Sequence, residues 1–267
     1  VYVLARGFPG TEFLVWLGVG MTLYGVTYAF LVNDIRRLLS YHIMSQVGYM
    51  VAGVGIGSTL AISGTAAHAF THILYKALLL MGAGAVLQMT GRSRLTELGG
   101  LYRSMPVTFL LYMVGGLSIS AFPLFSGFVS KTMIIEAAAV DGRGVVFLLM
   151  MLAGVGTFMS TTLKLPYFTF LGRDAGLRPP EAPLNMRLAM GIAALLCFLI
   201  GIVPGPLYAI LPYAVDYDAY TASHLLKEMQ LLLFTGLGFF LFIRVLGGKE
   251  KISLDLDWFY RVTGLQG

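Results

Sequence analysis

Cysteine is nearly absent: Cys197 is the one thiol in 267 residues. No disulfide can close within the chain, and no thiol cluster exists to hold a metal or an iron-sulfur centre. Charge is scarce too. Only 12% of the residues are charged, against roughly a quarter in an ordinary soluble domain, while 57% are hydrophobic. A soluble chain of this length cannot hide so much apolar surface, so lipid must be the solvent for much of it. Residues 1–11 lack the basic start, short apolar stretch and small-residue cleavage site of a signal peptide, and there is no initiating methionine. The start Val1-Tyr2-Val3-Leu4-Ala5-Arg6 reads like the end of an earlier helix, so an upstream portion is expected. A nucleophile elbow, a phosphate loop and a metal-ligand cluster are all missing from the sequence; no covalent chemistry is implied and no cofactor is expected. Internal repeats and low-complexity tracts are missing as well.

The runs without charge are long. A membrane helix needs about 20 predominantly apolar residues, and stretches of that kind lie near 13–33, 38–57, 62–89, 105–138, 144–170, 187–211 and 224–246. The glycines from Gly53 to Gly64 divide the second from the third. The expected fold is therefore all-α, a polytopic bundle of about seven transmembrane helices over residues 1–246. Alternating the spans puts Arg36, Arg37, Arg92, Arg94, Arg103, Arg173, Arg178, Arg187, Arg244 and Arg261 on one side, and only Arg6 and Arg143 on the other. By the positive-inside rule the first side is cytoplasmic. The opposite loop carries Asp216 and Asp218, which agrees. The net charge of +5 thus reads as a topology signal, not a nucleic-acid surface. Residues 247–267 are too charged to span, and Trp258-Phe259-Tyr260 would anchor them as an interfacial cytoplasmic tail.

Three titratable residues interrupt the third span. His68, His72 and Lys76 recur every fourth position, so they share one helical face and climb about 12 Å along it at roughly 1.5 Å per residue. A lysine at mid-membrane depth costs roughly 2.5–3.5 kcal/mol, so it must face other helices or water, and such residues mark ion or proton paths. The alternative is two satisfied core histidines and a snorkelling lysine, but Lys76 sits near the centre of its span, where snorkelling is hardest. The fourth span contains Ser120-Ala121-Phe122-Pro123-Leu124-Phe125-Ser126-Gly127. Pro123 removes a backbone donor and Gly127 loosens the next turn, which predicts a discontinuous helix. Such breaks occur only where they are packed in protein or line a wet cavity. Lys131 follows one turn after Gly127, beside that break; a plain proline kink with a lysine near the helix end is the alternative. His42, in the first turn of the second helix, has two readings, interfacial or relay. Lys164 and Glu136 stand near helix ends, to snorkel or to pair locally, and Asp34 is placed to cap the second helix beside Arg36 and Arg37.

If two such cationic groups stood about 6 Å apart at an effective dielectric of 20, charging one would disfavour charging the other by roughly 2.8 kcal/mol. A charge arriving at one site can therefore expel the proton from the next.

At these residues the sequence resembles the antiporter-like subunits shared by Mrp-type multisubunit cation/proton antiporters and the membrane arm of respiratory complex I, the D-type subunits of the Mrp antiporters above all. The matching stretches are Asp34 to Tyr41, Ser45-Gln46-Val47-Gly48-Tyr49-Met50, His68 through Leu80, and Phe122 through Lys131. The resemblance implies two inverted five-helix repeats, each with one broken helix, of which this chain would hold the second, followed by two further helices. It matches His68 and His72 to relay histidines, Lys131 to the titratable residue of the broken helix, and Lys76 to the lysine of a His-x-x-x-Lys segment. The family's first repeat, with its glutamate and lysine pair, has no counterpart here, and His42 stands where serine is common. The implied function is a proton or cation translocating half-channel working with partner membrane subunits, the missing N-terminal half coming either from a longer protein of which this is a fragment or from a partner chain. Protons, with Na+ or K+ as companion ion, would be the cargo, in the plasma membrane of a bacterium or archaeon. Any redox centres would lie in other subunits. A purely structural membrane subunit, a solute transporter and a haem protein using His42 and a third-span histidine are the rival readings.

Overall fold

Asp34 shows how the local sequence sets the first long elements. Its carboxylate accepts from the backbone N–H groups of Arg36 and Arg37, both at 2.9 Å, and so caps a helix that begins at Ile35. A computed structural model describes residues 1–246, with side chains through residue 243. The tail at 247–267, including Trp258 and Arg261, lies outside the described residues. The helices are α1 (Tyr2–Gly7), α2 (Glu12–Leu31), α3 (Ile35–Ile56), α4 (Thr59–Thr90), α5 (Pro106–Ile119), α6 (Ser126–Val140), α7 (Gly144–Thr157), α8 (Leu184–Ile202), α9 (Gly205–Tyr208) and α10 (Ala222–Leu246). Helix α7 continues through Leu171 in wider π-helical winding. Among the described residues there is no strand, only an isolated bridge between Asp34 and Arg94.

Five of these helices are long and apolar enough to cross a membrane: Glu12–Leu31, Thr59–Thr90, Gly144–Leu171, Leu184–Ile202 and the Ala222–Ile243 stretch. Their outer faces carry Trp16 and Leu17 on α2, Leu188, Ile192 and Leu195 on α8, and Leu233, Phe234, Leu237 and Leu241 on α10, all exposed. The interior, besides its apolar core, buries polar groups: His42, Gln46, His68, Lys76, Ser130, Lys131, Ser160 and Thr161. An apolar exterior with polar groups drawn inside is the arrangement of a protein whose solvent is lipid, because no aqueous surface would leave so many large side chains uncovered. The chain is an integral, multi-pass membrane protein.

Helices α2 and α3 meet along a seam of small residues. A Cβ on Gly18 would sit 2.3 Å from Ala52 N, one on Gly48 would meet Gly18 O at 2.6 Å, and one on Gly55 would reach Val15 N at 2.4 Å. Without a hydrophobic driving force in lipid, helices associate by such close backbone approach. Arginine-bearing loops gather at one end of the bundle. Ser93 Oγ donates to Asp34 Oδ2 at 2.5 Å, Ala175 N–H donates to Gly99 O at 3.3 Å, and Asp174 pairs with Arg103 and Arg178. At the same end Glu181 accepts from the N–H groups of Val107 (2.8 Å) and Thr108 (3.3 Å), capping α5 from outside. The other end holds the Glu12–Arg143 ion pair at 2.6 Å and the loop with Asp216 and Asp218. One apolar cluster, around Leu38, Leu79, Leu95 and Tyr112, closes the first end, and another, around Val15, Ile56, Ile134 and Val146, closes the second.

Two boundaries differ from the hydropathy reading. Helix α3 starts three residues before position 38, so His42 lies a turn deeper than the first turn and is fully buried in protein. Regular helix in α8 ends at Ile202, before Pro204 and Pro206, and not near 211.

Candidate functional site

The polar interior is built on three helices. Helix α4 carries His68, His72 and Lys76 inward, with exposures of 0, 8 and 4%. Lys76 is thus turned away from lipid, and its Nζ is buried without a hydrogen-bond partner among the described residues, as is His72 Nε2. The rings of His68 and His72 are 6.1 Å apart, and Tyr75 packs on both, at 6.2 and 5.4 Å. Tyr75 OH lies 3.4 Å from His68 Nε2 and 3.5 Å from Gln46 Oε1. The Tyr75 hydroxyl can thus donate to either His68 or Gln46.

The second helix is broken. The chain leaves α5 at Ile119 and re-enters helix at Ser126. In between, Ala121 and Leu124 adopt positive φ, 58° and 75°, which side-chain-bearing residues rarely do. Pro123 lies within this segment. Gly127 has a sharper reason than loosening the turn: a Cβ there would overlap Ser118 O at 1.7 Å, so only glycine lets the two half-helices cross so closely. The restart places Ser130 and Lys131 one turn into α6, both buried. Ser130 Oγ is 2.7 Å from Thr71 Oγ1 and 3.4 Å from His68 Nδ1, which joins the broken helix to the histidine face of α4. Lys131 Nζ stands 4.8 Å from the ring centre of Tyr49 on α3, and that ring is 6.3 Å from His68.

His42 comes from α3. Its Nε2 is 2.8 Å from Ser160 Oγ, while its Nδ1 is buried without a partner among the described residues. Ser160 belongs to the π-wound part of α7, whose hydroxyls also hold the break: Thr162 Oγ1 lies 2.5 Å from Ser120 Oγ and donates to Gly116 O at 2.6 Å. π-winding frees backbone groups and is common at functional sites. Lys164 does not snorkel. It is buried, and its Nζ donates to the carbonyls of Phe30 and Val32, the orphan acceptors at the end of α2. Glu136 does not pair locally but across the bundle, with Lys227 of α10 at 3.8 Å.

Sequence reasoning missed Tyr49, Tyr75, Ser130, Ser160, His224 and Glu228. Glu228 is buried and shares a small void with Lys131, and His224 is half-buried one turn before it; a charge opening an apolar run, as Lys227-Glu228 does, resembles an ordinary helix end.

These features define a class: a multi-pass helical membrane protein with one discontinuous helix and a line of buried titratable side chains running through it. A family model described as NADH:quinone oxidoreductase/Mrp antiporter, transmembrane, matches residues 7–160, more than half of the chain, and the chain belongs to that family. It is 37% identical over 183 residues to an Na(+)/H(+) antiporter subunit of Alkalihalophilus pseudofirmus, covering 65% of this chain and 37% of that protein. It is 29% identical over 245 residues to NADH-ubiquinone oxidoreductase chain 5 of Hypocrea jecorina, covering 86% and 35%. Among solved structures, a chain of the membrane-bound sulfane sulfur reductase, an archaeal respiratory membrane complex, superposes with a TM-score of 0.72 at 26% identity, over 91% of this chain and 42% of that one. The chain therefore spans about two fifths of the length of these relatives.

Proposed function

We propose that this chain forms one proton and cation translocating half-channel of a multisubunit membrane complex of the Mrp antiporter or complex I type. The observation that carries it is the buried chain Lys76, His72, His68, Ser130 and Lys131, which joins the broken helix to α4 with no residue of it facing lipid. His42 branches from this line toward Ser160. The lysines and imidazoles are buried on adjoining helices, and charging one disfavours charging its neighbour. Protonation can then pass along the line as a displacement.

The proposed topology has seven spans, counting α5 and α6 as one broken helix, with the arginine-rich end cytoplasmic and α1 outside. The proposed partners are the other membrane subunits of such a complex. Na+ or K+ is the companion ion, and the plasma membrane of a bacterium or archaeon the location.

The test is transport by the reconstituted complex in liposomes carrying a pH-sensitive dye. Lys131→Ala and Lys76→Ala are expected to assemble and to lose transport, by about a hundredfold or more, the usual worth of a positioned proton-transfer group. Full transport by the double variant would refute the reading.

A further inference from the structure

We infer that His224 and Glu228 on α10 form a proton gate joining Lys131 to an acidic vestibule at the end of the bundle opposite the arginine-rich loops. The inference rests on the proposed function and adds an aqueous mouth to it. Glu228 is a carboxylate in a membrane helix, 5% exposed. Such a residue is costly unless paired or used, and it lies on the inner face of α10, whose outer face is apolar.

Its surroundings give it two neighbours in sequence along a path. On one side, Glu228 and Lys131 line the same small void of about 10 Å³, together with Ser120, Ala121 and Gly154. That is close to the space one water needs, and Lys131 and Glu228 are its two charged side chains, set among the apolar Ile135, Met151, Leu231 and Leu232. It opens beside the break, where Gly154 keeps room around Lys131 Nζ. On the other side, Glu228 Oε1 is 4.0 Å from His224 Nε2, one turn earlier. His224 Nδ1 lies 2.7 Å from Ala219 O. A carbonyl can only accept, so Nδ1 carries the hydrogen, and Nε2 is the nitrogen left to take a proton from Glu228 or return it. The imidazole is held in place by stacking on Phe128 of the broken helix, 4.9 Å between centroids at 15°.

His224 also lines an open cavity of about 360 Å³ with Glu136, Asp216, Asp218 and Lys227. The carboxylates raise the local cation concentration, and Lys227, paired with Glu136, leaves the aspartates as the uncompensated charge. From cavity to break the order is Asp216 and Asp218, His224, Glu228, void, Lys131. Tyr49 and Tyr217 are the other ionisable groups facing it, and both are phenols that stay neutral at working pH. A proton moves from Glu228 to His224 across the 4.0 Å gap through one water: the carboxyl O–H bond breaks as the water takes that proton, and the water gives up another to form the Nε2–H bond. The imidazolium then yields a proton to cavity water, leaving the carboxylate to take the next one from the Lys131 side.

The experiment uses the complete complex in liposomes. Glu228→Gln is expected to lower transport by about a hundredfold, with Glu228→Asp recovering part of it and Lys131→Ala abolishing it. Full transport by Glu228→Gln alongside a dead Lys131→Ala overturns the gate and leaves the half-channel standing. Full transport by Lys131→Ala overturns both. A second measurement does not depend on turnover: His224→Cys is expected to be labelled by a membrane-impermeant thiol reagent from one side only, above the background of the buried Cys197. Protection of His224→Cys from both sides overturns the vestibule.

Discussion

Tyr49 stands between Lys131 and His68: the lysine ammonium lies 4.8 Å from its ring centre, and the His68 imidazole 6.3 Å from it. Its hydroxyl is spent elsewhere, donating to Met150 O at 2.6 Å. The ring face is thus what the lysine meets, and a desolvated cation over an aromatic face is worth about 2 kcal/mol.

Tyr49→Phe keeps that face and loses one hydrogen bond, about 1 kcal/mol of stability. Tyr49→Leu removes the face and leaves Lys131 without its aromatic neighbour. Expected in reconstituted transport assays is a near-normal rate for Tyr49→Phe and a clear loss for Tyr49→Leu, with both variants assembling. Equal rates for the two would show that the ring plays no part in holding the lysine.

The lysine and histidines of α4 were legible in the sequence because spacing by four is a geometric statement: it fixes a shared face whatever surrounds it. The break was legible from Pro123, although not the reason for Gly127. That reason is the approach of Ser118 O from the other half-helix, a contact between residues nine apart that no periodicity encodes. Tyr49, Tyr75 and Ser130 were illegible for a different cause. Aromatic and hydroxyl residues are ordinary in membrane helices, and only the packing of α3, α4 and α6 together gives them roles. Burial of His42 followed from where α3 begins, a matter of one cap at Asp34. The π-winding of α7 changes hydrogen-bond register without changing hydropathy, so the run Ser160-Thr161-Thr162 was its one visible trace. Lys164 looked interfacial because its target, the frayed end of α2, is distant in sequence.

Asp174 gives a pH dependence whose sign is fixed. The Arg178 guanidinium at 2.5 Å and the Gly176 N–H hold its carboxyl well below the usual carboxylate range, with Arg103 adding to the effect. A group whose folded pKa is depressed contributes stability that is complete above its unfolded value and is lost as pH falls through the folded one. The difference in melting temperature between wild type and Asp174→Asn in detergent is therefore expected to stay constant from about pH 7 down to about 3.9, the ordinary aspartate value, and to shrink below it. A difference already gone at about pH 5 would contradict the pairing, since an unshifted aspartate is still ionised there.

The glycines of α2 and α3 separate packing from propensity within one pair of helices. In a helix interior, Gly→Ala gains about 0.5–1 kcal/mol by reducing the freedom of the unfolded chain, provided the methyl has room. Gly20 on α2 has that room, with nothing within 4 Å of an added Cβ. Gly48 on α3 has none: its Cβ would meet Thr22 Oγ1 at 2.3 Å and Gly18 O at 2.6 Å, and a backbone carbonyl cannot rotate away. Overpacking of this kind costs about 1–3 kcal/mol, enough to reverse the propensity gain. Gly20→Ala is expected to raise the thermal unfolding midpoint in detergent and Gly48→Ala to lower it. Because α3 carries His42 and Tyr49, prying it from α2 is also expected to lower transport, whereas Gly20→Ala leaves transport unchanged. If both substitutions shifted the midpoint alike, the seam between α2 and α3 would not be as close as described, and the placement of Tyr49 beneath Lys131 would lose its support.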